Sequence, residues 1–283
     1  MPELPEVEVL VRHLAPLLHN QTIRSLEVPR RKTIAPHTRQ EFGRCLAGAR
    51  FTALTRRGKY LVFTLRLRNP GRTVRLVGHL GMTGRMYLLP VAAPLPKHTA
   101  AVFFLGRRKF VFEDTRYFGR LTLEAGVLER LGPEPLGDEF TPQALAKGLQ
   151  RSAQAVKVKL LDQSLVAGVG NIYASEALFR ARVSPRMQAR GLSVQQVRRL
   201  WRSIRGVLRE AIQFGSTVPL DWVGRHRHDK IFYYGRARDA PDFYEERLRV
   251  YDRAGKPCGR CGTPIRRTVQ AARSTFYCPG CQR

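Results

Sequence analysis

The opening residues Met1-Pro-Glu-Leu-Pro-Glu-Val-Glu8 place a cyclic secondary amine one cleavage from the N-terminus, with a carboxylate beside it. Proline is a small second residue, so removal of Met1 is expected, leaving Pro2 with a free pyrrolidine nitrogen. An α-amino group titrates at about 8, against about 10.4 for a lysine, so a useful fraction is uncharged near neutrality. Such an amine attacks a carbonyl-like carbon without an activating partner and forms an iminium, a recognised covalent strategy.

An element must hold that pair in place. Pro5 is followed by Val7, Val11, Leu14 and Leu18, whose spacing traces one face of a helix, with Pro5 suited to its first turn. The helix is therefore expected to begin just behind Pro2 and Glu3, where its dipole favours a carboxylate and disfavours an extra positive charge. An acidic first turn is also the ordinary start of a structural helix, so this pattern alone leaves both readings open.

The other chemical cluster lies at the far end. Cys258-Gly-Arg-Cys261 and Cys278-Pro-Gly-Cys281 flank 16 residues, the spacing of a four-cysteine zinc site closed by a β-hairpin. Four thiolates leave no open coordination position, so one structural Zn2+ is expected, with no role in activating water. Two disulfides are the lesser alternative in a cytoplasmic chain. Arg266, Arg267 and Arg273 form a basic prong on that hairpin, and Cys45 stands apart without an assignment.

Fifty Lys and Arg against 22 Asp and Glu give a formal charge of +28, and the pI is about 11.2, so the partner is expected to be a polyanion, best a nucleic acid. A genomic bias toward arginine explains an excess of Arg but not why acidic residues fail to rise with it. No run of about 20 apolar residues suits a membrane span, and the N-terminus lacks the order of a secretory signal. The chain reads as a cytoplasmic protein with no membrane partner.

From about residue 21 to 130 short β segments recur, among them 59–65, 74–77, 101–105 and 109–112, suggesting a β-sandwich or barrel. Dense Gly and Pro punctuation at 131–137 marks a boundary, beyond which the period becomes helical to about 214. There Val194, Val197, Trp201, Ile204 and Leu208 read as one core stripe, surrounded by mostly solvated arginines. The expected domains are thus 2–130, 131–214, a long loop at 215–248, and 249–283.

Six motifs then stand in one order: Pro2-Glu3, Arg56-Arg-Gly-Lys59, His79-Leu-Gly-Met-Thr-Gly84, Asp114-Thr-Arg-Tyr-Phe-Gly119, Gly168-Val-Gly-Asn-Ile-Tyr173 and the four-cysteine hairpin. Together they make the chain closely resemble, over almost its whole length, the bacterial formamidopyrimidine-DNA glycosylase/endonuclease VIII family, and within it the purine-specific branch. The resemblance implies a multidomain α+β fold: an N-terminal β-sandwich flanked by helices, a helix-two-turns-helix domain, and a C-terminal zinc-finger β-hairpin. It implies a monomer that excises 8-oxoguanine and formamidopyrimidines from damaged double-stranded DNA and cleaves the strand by β,δ-elimination.

By position, Pro2 attacks the sugar C1′ and Glu3 moves protons during ring opening. Lys59 lies near the backbone phosphates and is linked to elimination, and Arg273 holds a phosphate and is linked to δ-elimination. Met82, Arg116 and Phe118 match the trio that fills the gap left by the extruded nucleotide, with Arg116 facing the orphaned cytosine. His98, Lys157 and Asn171 fall at phosphate-contact positions, and 215–244 matches the loop over the flipped base. Two departures stand out. Thr115 and Tyr117 replace a common proline and second arginine, and the capping loop, with Trp222, His226, His228, Tyr233 and Tyr234, has its own sequence.

Two rivals are endonuclease VIII, which shares the terminus and finger but removes oxidised pyrimidines, and a non-catalytic zinc-ribbon DNA-binding protein. Leu4 together with Met82, Arg116 and Phe118 favours the purine branch. The zinc-ribbon reading gives no reason for proline at position 2.

Overall fold

The computed structural model describes residues 2–69, 71–216 and 248–283. The chain divides into two compact units, the first built on Met1–Glu129 and the second on Arg130–Phe214 with the C-terminal residues. The capping-loop residues Trp222, His226, His228, Tyr233 and Tyr234 lie outside the described residues, as does Met1.

The first unit opens with α1 (Leu4–Leu18), which starts behind Glu3 as the spacing predicts. Its buried face carries Leu4, Val7, Leu10, Val11, Leu14 and Leu18, each worth about 2 kcal/mol of apolar burial. Strand β1 (Ser25–Glu27), helix α2 (Arg39–Leu46) and strands β2 (Arg50–Arg57), β3 (Tyr60–Arg66), β4 (Thr73–His79), β5 (Gly84–Pro90), β6 (Thr99–Phe104), β7 (Arg108–Asp114) and β8 (Arg120–Thr122) follow. They form two antiparallel sheets, ordered β1-β6-β7-β5 and β2-β3-β4-β8. Phe110 of β7 meets Phe51 and Phe63 of the opposite sheet at ring-centroid distances of 6.4 and 5.7 Å, so the sheets share one core and make a sandwich. The α2 helix, within a region that reads as strands, is held by Thr38 at its N-cap and by Glu41, whose carboxylate accepts the Thr38 N–H at 2.9 Å.

The second unit contains α3 (Pro142–Gln150), α4 (Val156–Leu160), α5 (Asn171–Ala181) and α6 (Val194–Ser216), then the hairpin of β9 (Arg266–Gln270) and β10 (Arg273–Tyr277). The α6 stripe differs from the sequence expectation: Val197, Leu200, Ile204 and Leu208 are buried, whereas Val194, the first helical residue, is 63% exposed. Trp201 lies at the edge of the stripe, with its indole N–H reaching the Phe140 carbonyl at 2.6 Å. Among the described residues no helix is long and apolar enough to cross a membrane.

Candidate active site and nucleic-acid interface

The N-terminal unit carries Pro2, Glu3, Lys59, Met82, His98, Arg116 and Phe118, and the second unit carries Lys157, Asn171, Arg273 and the four clustered cysteines. Pro2 and Glu3 are buried, and Glu3 is the N-cap of α1. Its N–H is held by the Glu6 carboxylate, so two buried acids lie next to Pro2 in the first turn. The helix that fixes this turn also holds the loop bearing Lys59. Glu8 pairs with Arg56 at 2.8 Å, and the same guanidinium donates to the Gly58 carbonyl at 3.1 Å. Burial alone would raise the Glu8 carboxyl, but Arg56 and Arg12 hold it below its ordinary value.

Lys59 is the second residue of the Gly58-Lys59 turn joining β2 to β3, where Gly58 has φ +56, the left-handed first position that glycine fills in a type II′ hairpin. Lys59 is buried, with 8% of its surface exposed. It lies near His79, which stands opposite Tyr60 in the β3–β4 register and packs against its ring, tilted, at a centroid distance of 4.9 Å. Burial drives the His79 pKa down to about 4, assisted by the charges of Lys59 and Arg120. The imidazole is therefore neutral at working pH, with Nδ1 accepting the Gly81 N–H at 3.1 Å.

The loops bearing Met82, Arg116 and Phe118 are brought together by Asp114, which is fully buried. Its carboxylate accepts the Thr83 hydroxyl at 2.6 Å, the Arg116 N–H at 3.2 Å and the Gly119 N–H at 2.7 Å. Glycine is required where the loops touch: at Gly81, with φ +64, a Cβ would sit 2.7 Å from the Gly119 nitrogen. Met82 is 42% and Phe118 46% exposed, and the Arg116 guanidinium lies 4.9 Å from the Phe118 ring centre. An exposed thioether, a flat ring and a bidentate donor on a rigid base form a wedge suited to replacing an extruded base. His98 lies close to this loop, its Nδ1 3.2 Å from the Tyr117 hydroxyl.

In the second unit Lys157, Asn171 and the finger strand meet. Asn171 begins α5 after Gly170, accepts from the Lys157 ammonium, and donates to the Ser274 carbonyl at 2.9 Å, next to Arg273. Lys157 is fully buried and also faces that carbonyl, whereas Arg273 is exposed. The N-terminal end of the α5 dipole and these cations give a positive end suited to phosphate. The finger is docked on α5 from below as well: the buried Glu176 carboxylate accepts the N–H groups of Arg249, Val250 and Tyr251 at 3.0, 2.9 and 2.9 Å. Burial raises the Glu176 pKa, and those N–H groups oppose the shift.

The ligand atoms of Cys258, Cys261, Cys278 and Cys281 lie within 4.8 Å of one another. Sulfur pairs stand 3.4 and 4.0 Å apart, bracketing the edge of about 3.8 Å for a tetrahedron of Zn–S bonds near 2.3 Å. Burial and the neighbouring sulfurs raise the Cys281 thiol pKa, the sulfurs through a repulsion among adjacent thiolates that a divalent cation would offset. The site binds one zinc ion whose role is structural. The β9–β10 turn, Ala271-Ala272, has φ +47 and +58, a left-handed pair that alanine adopts at a cost.

Sequence reasoning passed over Glu8, His79, Asp114 and Glu176 as individual groups. His79 and Asp114 stood inside quoted motifs, but nothing local marks Glu176, whose partners are 73 to 75 residues away.

Comparison with known proteins finds matches along the whole chain. Residues 1–121 match the formamidopyrimidine-DNA glycosylase N-terminal domain, 131–220 its H2TH domain, and 255–283 the zinc finger found in FPG and IleRS. The formamidopyrimidine-DNA glycosylase of Carboxydothermus hydrogenoformans is 40% identical over 283 residues, covering 100% of both chains. That of Thermus thermophilus is 43% identical over 289 aligned positions, covering 100% of this chain and 98% of its own. The Lactococcus lactis Fpg, solved with abasic-site DNA, superposes with a TM-score of 0.86 at 30% identity, covering 99% of each chain. Other complexes of that protein hold Fapy-dG DNA and oxidised-pyrimidine DNA. With three family models matched in order and relatives aligned over the full length, the chain belongs to the formamidopyrimidine-DNA glycosylase family.

Proposed function

We propose that this base-excision repair DNA glycosylase removes 8-oxoguanine and formamidopyrimidines from duplex DNA through the free nitrogen of Pro2 and then cleaves the strand by β,δ-elimination. The nitrogen lone pair attacks C1′ of an extruded nucleotide, and the base leaves with the electrons of the glycosidic bond. The C1′–O4′ bond then opens, Glu3 moving a proton to O4′, and the iminium acidifies C2′. Loss of that proton expels the 3′ phosphate, and a second elimination expels the 5′ phosphate. Lys59 and Arg273 hold those phosphates as they leave, and water releases the sugar remnant from Pro2.

Met82, Arg116 and Phe118 fill the vacated stack, Arg116 reading the orphaned cytosine. His98, Lys157 and Asn171 engage backbone phosphates. In this reading 2–130 is the catalytic domain, 131–214 the helix-two-turns-helix DNA-binding domain, 215–248 the loop over the flipped base, and 249–283 the zinc finger. The protein works as a cytoplasmic monomer that collects on the nucleoid.

The observation that carries the reading is the buried Pro2-Glu3 pair at the start of α1, tied through Glu8 and Arg56 to the turn bearing Lys59. Because the Lactococcus lactis protein has been solved with oxidised-pyrimidine DNA, the deciding test offers both lesions. Duplexes with 8-oxoguanine opposite cytosine and thymine glycol opposite adenine are incubated with the enzyme and nicking is followed. Faster nicking of the oxidised purine is expected, and faster nicking of thymine glycol moves the chain to the endonuclease VIII reading.

A further inference from the structure

Tyr117 adopts φ +53, a left-handed conformation that an aromatic residue rarely takes without external support. That support is visible from several sides. The Arg120 guanidinium donates to its carbonyl at 3.2 Å, its ring packs against the N-terminal core, and its hydroxyl lies 3.2 Å from His98 Nδ1. On the ring sits a second guanidinium, that of Arg30, 4.5 Å from the centroid. Arg30 is exposed, as are Arg31 and Lys32 after it, and among the described residues none of the three has a carboxylate partner.

A guanidinium stacked on an aromatic face keeps its in-plane N–H donors free. With Nδ1 engaged by the Tyr117 hydroxyl, the other ring nitrogen of His98, Nε2, has no partner among the described residues. One rigid side chain thus aims a guanidinium and a ring nitrogen, next to the exposed Arg116–Phe118 loop.

We propose that Arg30, carried on the Tyr117 ring, is a further phosphate-binding cation that extends the backbone contact of His98 into a subsite, with Tyr117 as the positioning residue for both. The subsite rests on the reading above, in which the Arg116–Phe118 loop enters DNA. It accounts for a tyrosine at this strained position: the ring carries a borrowed arginine, and the hydroxyl orients the histidine.

The test is binding of a duplex with a tetrahydrofuran abasic analogue, measured by fluorescence anisotropy across a salt series. Each neutralised phosphate contributes about 0.9 to the slope of log K against log salt, so between about 50 and 200 mM wild type loses about 3.5-fold more affinity than Arg30→Ala. Tyr117→Leu is expected to give the same loss of slope, with no further change when Arg30→Ala is added. Tyr117→Phe keeps the ring, so it weakens binding while retaining the wild-type slope. Scanning single neutral methylphosphonates along the duplex identifies one position whose penalty disappears in Arg30→Ala, a result that altered folding does not produce. Arg30→Gln and thermal melting serve as checks on folding. An Arg30→Ala protein with the wild-type slope, or full additivity of Arg30→Ala and Tyr117→Leu, overturns the subsite. Wild-type binding to the abasic duplex and borohydride trapping on 8-oxoguanine DNA report separately on the underlying function.

Discussion

Acidification weakens the N-terminal unit through His79, and His79→Gln removes that weakness. The ring is pressed against Tyr60 and lies near the charges of Lys59 and Arg120, and burial is the largest cause of its pKa falling from 6.5 to about 4. An unfolded chain takes up the proton as pH falls through 6.5, whereas the folded chain resists until about 4. Between those values the unfolded state binds more protons, so stability is lost as pH drops and is fully present only above 6.5. For one such group the loss between pH 7.5 and pH 5 is about 2 kcal/mol. Glutamine has an amide oxygen to accept the Gly81 N–H and takes up no proton. His13, also lowered to about 4 by burial, contributes equally to both proteins and cancels. The assay is urea unfolding of both proteins at the two pH values, beside an NMR titration of the His79 ring. Equal acid losses in the two proteins, or a His79 ring titrating near 6.5, would refute the reasoning. The functional corollary is that Lys59 faces a neutral neighbour at working pH.

Arg56→Gln removes the link from α1 to the Gly58-Lys59 turn, leaving Glu8 with Arg12 alone; stability falls by about 2 kcal/mol and strand cleavage slows, whereas unchanged cleavage would show that the turn needs no such tether. Cys278→Ser releases zinc and weakens DNA binding, read by metal analysis and anisotropy, and a metal-free protein of normal affinity would contradict the structural role. Replacing Ala271-Ala272 by Asn-Gly relieves the left-handed pair, stabilising the finger by about 1 kcal/mol and slowing zinc loss to a chelator about fivefold. An unaltered or faster loss would mean that the turn is not strained.

What was legible in the sequence was whatever repeats over short distances. The α1 face, Pro5 in its first turn and the paired cysteines each announce themselves within a few residues, and all three stand where the spacing places them. The α2 helix carried its signal in Thr38 and Glu41, but only Phe42 and Leu46 are buried, too few to make a stripe. Val194 fits the α6 period yet lies outside its core, because a period states which face a residue occupies and not whether anything covers it there. The supporting groups were hidden for a different reason. Glu8 meets Arg56 across 48 residues, and Asp114 receives Thr83 across 31, so their partners exist only once the sheets have formed. Tyr117 shows the limit from the other side: its departure from the family pattern was visible, but the Arg30 on its ring was not.

The most direct test of the catalytic claim is sodium borohydride trapping on 8-oxoguanine DNA, followed by peptide mapping of the adduct by mass spectrometry. Reduction of the iminium is expected to leave the sugar joined to Pro2 as the first residue of the mature chain, and Pro2→Gly is expected to lose most of the adduct while still binding DNA. A crosslink mapping to any other residue, or no crosslink from a protein whose N-terminal Pro2 and DNA binding have been verified, would contradict the mechanism.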